Sequence, residues 1–181
     1  MASSFLIRRA GPDLSTAESL ADLTLDCVEA GASIGFMLPL PRITAVAFWQ
    51  NALASAARGE RVVLVAEDTV SGAIVGTVSL LLAMPDNQPH RADVAKMQVR
   101  SSARRRGLGA ALLKAVEATA HECGRTLLVL DTVTDSAGER LYARHGWQRC
   151  GVIPKFALWP NGGLCSTTFF YRDLIVTAPD S

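Results

Sequence analysis

The chain has 181 residues, 49% hydrophobic and 19% charged, which is enough apolar material to bury one core in a single soluble domain. A formal net charge of +1 leaves no global basic field, so nucleic acid is not expected as a partner despite the local cluster Arg104, Arg105 and Arg106. No run approaches the ~18 apolar residues of a membrane span, the start of the chain lacks the apolar stretch of a signal peptide, and Cys27, Cys123, Cys150 and Cys165 show neither CxxC nor zinc-like spacing. A cytoplasmic protein with reduced thiols, no membrane partner and no metal is expected.

Phe5 to Arg9 reads as a short first strand. Leu14 to Ala30 carries apolar residues at helical spacing (Leu20, Leu23, Leu25, Val28) and stops at Gly31. Pro41 can open a second helix over Ile43 to Arg58, closing at Gly59. Arg61 to Glu67 and Ala73 to Met84 read as a hairpin of two strands around Asp68 to Gly72. After a loop at Pro85 to Pro89, Arg91 to Arg100 is a fourth strand.

A third helix then places Leu108, Leu112, Ala115 and Val116 on one face and stops at Gly124. Thr126 to Leu130 is apolar throughout, as a strand covered on both faces would be. Ser136 to His145 reads as a short helix capped by Asp135 or Ser136, and Trp147 to Ile153 and Ser166 to Arg172 as the last two strands. Residues 1–176 are expected to form one domain and residues 177–181 a flexible tail.

The segment Arg104-Arg105-Arg106-Gly107-Leu108-Gly109 pairs cations with a turn at the start of a helix. Gly107 and Gly109 let the main chain approach a ligand closely, the helix start presents unpaired N–H groups, and the arginines add charge-assisted hydrogen bonds, so the segment reads as a diphosphate clamp. A dinucleotide fingerprint would need a third glycine and an early position in the chain, and the P-loop pattern is absent.

Val99-x-x-x-x-Arg104-x-x-Gly107-x-Gly109, followed by Leu112-Leu113, resembles motif A of the GNAT superfamily of acetyl-CoA-dependent N-acetyltransferases. Leu127 to Thr132 and Leu141-Tyr142-x-x-x-Gly146-Trp147-x-x-x-Gly151 resemble that superfamily's fifth strand, fourth helix and sixth strand, so the likeness spans residues 92–173. Within the superfamily, Gly31 to Met37, His90 to Val94 and Leu130 to Thr132 resemble the branch that includes the tabtoxin resistance protein.

The resemblance implies a single α/β domain. Its core would be a mixed, mostly antiparallel twisted sheet of about seven strands, flanked by about four helices and opened by a cleft between strands 4 and 5. It further implies acetyl-CoA as cofactor and direct transfer, in a ternary complex, to a primary amine of a small polar molecule, with toxin or antibiotic resistance as one version. A peptide or protein acceptor and a catalytically idle acyl-CoA-binding module are the alternatives, and a homodimer is left open.

By the same resemblance, backbone groups of Met97, Gln98 and Val99 hold the pantetheine, and Arg104, Arg105, Arg106, Gly107, Leu108, Gly109 and Ala110 bind the diphosphate. Asp135 stands where an asparagine contacting the pantetheine is usual, and Gly138 where an alanine is usual. Tyr142 matches the superfamily's general acid, and a phenol titrating near ~10 stays protonated at neutral pH. Asp131, at the mouth of the cleft, is the first choice for the base and Asp93 the second. Ser33 and Phe36 are expected to line the acceptor pocket, and Arg91, with His90, to meet an acceptor carboxylate.

Overall fold

The computed structural model of the protein describes residues 5–175; the expected tail at residues 177–181 lies outside them. The strands are β1 (Phe5–Arg9), β2 (Arg61–Asp68), β3 (Ile74–Leu81), β4 (Arg91–Val99), β5 (Leu127–Val133), β6 (Gln148–Leu158) and β7 (Leu164–Asp173). The helices are α1 (Leu14–Glu29), α2 (Arg42–Ala57), α3 (Leu108–Glu122) and α4 (Ala137–Arg144). The sheet has seven strands in the order β1-β2-β3-β4-β5-β7-β6. Every neighbouring pair is antiparallel except β4 and β5. This is the expected fold class. No helix among the described residues is long and apolar enough to cross a membrane.

Local chemistry sets the boundaries. Asp13 caps α1 by accepting the Thr16 N–H at 2.8 Å, and Ser136, rather than Asp135, caps α4 by accepting the Glu139 N–H at 3.1 Å. The β2–β3 hairpin turns on Asp68, whose Oδ1 accepts from the N–H groups of Val70 and Ser71. β3 stops at Leu81, short of the expected Met84, because the N–H groups of Leu82 and Ala83 both turn to the Glu60 carbonyl. β6 runs five residues past the expected Ile153 and through Pro154. It is the outermost strand, where a missing N–H breaks no ladder, and its register shifts between Ile153 and Ala157.

Each face of the sheet carries its own apolar cluster. On one face, Leu108, Leu112, Leu113 and Val116 of α3 pack against Leu64, Val78, Val94, Leu128 and Phe170. On the other, Leu20 and Leu23 of α1 and Trp49 and Leu53 of α2 pack against Val63, Val65 and Ile74.

The break that opens the sheet lies at its parallel pair. β4 and β5 are in register only at Arg91↔Leu127, Ala92↔Leu128 and Asp93↔Val129. Beyond Val129, β5 continues on β7 alone, through Asp131↔Phe169 and Val133↔Thr167. β4 meanwhile bulges: Ser79 pairs with Ala95 and Thr77 with Gln98, so an extra residue stands opposite Val78, and Lys96 takes a φ of 53°. A side-chain alternation that placed Ala92 and Val94 on the α3 face is therefore inverted, and Lys96 and Gln98 turn toward α1 and α2.

Candidate active site

The splay between β4 and β5 opens a cavity of about 630 Å³. Val94 to Met97 form one wall, Asp131 to Val133 and Ser166 and Thr167 the other; Ser136, Gly138, Leu141 and Tyr142 of the α4 region close one end, and Gly31 to Gly35 with Phe156 and Trp159 the opposite end.

Tyr142 is almost wholly buried at 5% exposure, with its ring against Trp147 (centroids 5.8 Å apart) and Phe170 (6.0 Å). Burial in this aromatic setting, reinforced by the negative charge of Asp131, pushes the phenol well above its ordinary value. Its hydroxyl makes no hydrogen bond to the described residues. It is a protonated acid facing a cavity, with its donor uncommitted. Asp131 stands on the β5 wall, and the Thr167 hydroxyl, 2.7 Å from Asp131 Oδ2, donates to it. The phenol and the carboxylate thus line one cavity.

The arginine-glycine turn forms an anion cradle. Gly107 caps α3 in the left-handed region at φ 79° with no side-chain hydrogen bond, so the first N–H groups of the helix are free, and a Cβ there would stand in open space. Arg105 is also left-handed, at φ 59°. Gly107→Ala is expected to cost about 1–2 kcal/mol from its backbone angle alone, read as a lower denaturation midpoint. The three arginines diverge. Arg104 lines the cavity and donates to the Val99 carbonyl at 3.1 Å. Arg106 instead lies over the Phe5 ring, 4.9 Å from its centroid, which directs it toward β1.

A strap crosses the acceptor end. The α1–α2 loop is tied to the β6–β7 turn by the Leu38 N–H to the Pro160 carbonyl (2.9 Å) and by the Ser33 hydroxyl to the Leu158 carbonyl (2.7 Å). From the sheet, Lys96 Nζ donates to the Ile34 carbonyl at 2.9 Å.

Several expected site residues stand elsewhere. Arg91 and Asp93 sit where β4 and β5 are still paired and are bonded to each other, and neither lines the cavity. Their polarity suggested an acceptor role, but the splay begins only after them. Gln98 turns its side chain into the interior, where its Oε1 accepts from Thr24 at 2.9 Å. Val99 offers its carbonyl to Arg104 and Cys27; of the three β4 residues expected at the pantetheine, only Met97 lines the cavity. Asp135 is exposed, at φ 62°, with its N–H turned to Glu139, so Ser136 faces the cavity in its place. Gly138 has no spare room: a Cβ would stand 2.8 Å from Thr132 Oγ1. Phe36 packs edge-on against Phe48 (5.2 Å) behind Lys96 and does not line the cavity, whereas Ser33 does.

Sequence reasoning missed Lys96, Phe156, Trp159 and Thr167. Trp159 lies beyond Ile153, where the expected strand ended, and Lys96 reaches this side only through the bulge. Thr167 lies in the expected last strand, but only the pairing of β7 with β5 brings it to Asp131.

Comparison with known proteins bears on the fold and the family. The yncA structure of Salmonella typhimurium, solved with its cofactor acetyl-CoA, is 22% identical, with 99% of each chain covered and a TM-score of 0.77. An N-acetyltransferase of Staphylococcus aureus Mu50 is 17% identical over 96% of this chain and 100% of its own, with a TM-score of 0.78. A ribosomal-protein-alanine N-acetyltransferase of Brucella melitensis is 24% identical over 93% and 99%, with a TM-score of 0.75. These likenesses establish the fold. The family model of the acetyltransferase (GNAT) domain matches residues 59–149, half of the chain, running from β2 through α4 and across the cradle, the splay and Tyr142. The chain belongs to the GNAT acetyltransferase family.

Proposed function

We propose that the protein transfers an acetyl group from acetyl-CoA to a primary amine of a small polar molecule, within a ternary complex. The observation that carries this reading is the pairing, in one cavity, of a protonated Tyr142 with the carboxylate of Asp131, beside an uncapped helix end. The residues present fit the cofactor. The free N–H groups at the start of α3, with Arg104 beside them, suit a diphosphate, and Met97, at the bulge where β4 has left β5, suits an extended pantetheine.

Acetyl-CoA, when bound, supplies the activated acetyl group. Asp131, held by Thr167, accepts the proton of the acceptor's ammonium directly or through a water, leaving a nucleophilic amine. Tyr142 holds its own proton in the aromatic pocket and delivers it to the departing sulfur. Thr167→Val would unfasten Asp131 without removing its charge.

The strap, which ties the α1–α2 loop to the β6–β7 turn on the Gly31 to Gly35 side of the cavity, favours a small acceptor over a peptide. Resemblance to the tabtoxin-resistance branch supports a detoxifying version of this reading. The test is thiol release from acetyl-CoA against β-lactam amino-acid toxins, amino acids, polyamines, aminoglycosides and short peptides. Turnover of small amines supports the reading, turnover of peptides alone moves it to protein acetylation, and acetyl-CoA binding without thiol release leaves an idle module. Arg104→Ala is expected to weaken acetyl-CoA affinity by about 10- to 100-fold, the worth of a hydrogen bond to a charged group, in a calorimetric titration. Equal affinity would remove Arg104 from the clamp.

A further inference from the structure

Two cations line the cavity, Arg104 beside the α3 turn and Lys96 on the acceptor side. Lys96 is unusual in its company. Its ammonium donates to one backbone carbonyl, that of Ile34, and lies 5.9 Å and 5.5 Å from the ring centroids of Phe36 and Phe48. The ion pairs among the described residues do not include it. Burial depresses its pKa below the ordinary lysine value, and Arg61 adds to that depression; Asp131 is the carboxylate whose field opposes it. A partly buried cation without a bonded counter-ion is costly to the free protein. The cost falls if an anion arrives.

We propose that Lys96 is a specificity-determining residue of the acceptor pocket: it receives an anionic group of the acceptor while Asp131 receives the amine. The inference rests on the reading of this cavity as an acetyl-acceptor site. An ammonium has three donors and Ile34 uses one, leaving two for charge-assisted bonds. The partly buried side chains of Ile34, Phe36 and Phe48 beside the ammonium limit screening, so charge complementarity counts for more there than at the surface. The strap keeps an acceptor's anionic end beside Lys96 instead of letting it trail into solvent. The carboxylate-binding role that polarity suggested for Arg91 falls to Lys96, because Arg91 is bonded to Asp93 and stands below the splay.

The experiment measures kcat/KM by thiol release for the common amino acids, each beside its carboxamide and its decarboxylated amine, with wild-type, Lys96→Met and Lys96→Arg proteins. The wild type is expected to prefer the acids over the amides by about 10- to 100-fold, carried mainly in KM. That ratio is expected to collapse toward one in Lys96→Met, whose side chain suits the aromatic surroundings, and to return in part in Lys96→Arg. Unchanged acetyl-CoA binding in both variants serves as the control for folding. A wild type indifferent to the carboxylate, or a preference that survives in Lys96→Met, overturns the inference. Turnover of neutral amines alone overturns it while leaving the acetyl-transfer reading intact, and silence across every amine, peptides included, overturns both.

Discussion

Tyr142→Phe is expected to lower kcat by about 10²- to 10⁴-fold, the usual worth of a positioned general acid, while acetyl-CoA affinity changes little. The phenylalanine ring refills the same space against Trp147 and Phe170, so packing is preserved and only the hydroxyl is lost. That hydroxyl has no protein partner to strand among the described residues, which makes the substitution a clean probe of its proton. Burial and Asp131 both hold the phenol above its ordinary value. It therefore stays protonated as pH rises through the neutral and mildly alkaline range, and a fall in wild-type rate there has another source. Steady-state thiol release with a saturating acceptor measures the effect. A variant with wild-type kcat would remove Tyr142 from the chemistry.

The second large effect is on stability. Trp49→Ala is expected to cost about 3–5 kcal/mol, which for a chain of this size lowers Tm by roughly 6–20 °C. Trp49 is fully buried and central to the cluster under α1 and α2. Its ring meets Phe48 edge-on at 5.2 Å, and its Nε1 donates to Thr24 Oγ1 at 2.8 Å, which in turn donates to Gln98 Oε1. Removing it leaves a cavity and breaks a relay joining α1, α2 and β4. A thermal melt followed by circular dichroism reads the loss, and a shift of under 2 °C would refute it.

The sequence was most legible where a pattern had one physical solution. Apolar periodicity placed α1 and α3 within a residue or two, because each buries one stripe against the sheet, and Pro41 and Gly59 bracketed α2. The resemblance named Tyr142 and Asp131, and both line the cavity. Lys96 was illegible because strict alternation puts it on the α3 face with Ala92 and Val94, and a single bulge residue reverses that. Arg91 and Asp93 misled for the complementary reason. They have the right chemistry, but where two parallel strands part is decided by backbone pairing, which residue type does not report. Pro154 hid the far half of β6, since a proline at an outer strand is tolerated where one inside the sheet would not be.

The two apolar clusters on opposite faces of the sheet have an evolutionary consequence. The turn proposed to cradle the cofactor leads into α3 on one face, and the loop proposed to enclose the acceptor hangs from α1 and α2 on the other. Substitutions far apart with no shared partners tend to combine additively, so drift in α2 and the α1–α2 loop leaves the packing of α3 largely untouched, whereas the last turn of α1 bonds the arginine-glycine segment directly, Asp26 to Ser101 and Cys27 to Arg104. On the proposed reading, a lineage built this way can exchange one amine for another through changes in α2 and the α1–α2 loop, with the machinery for handling the donor inherited intact.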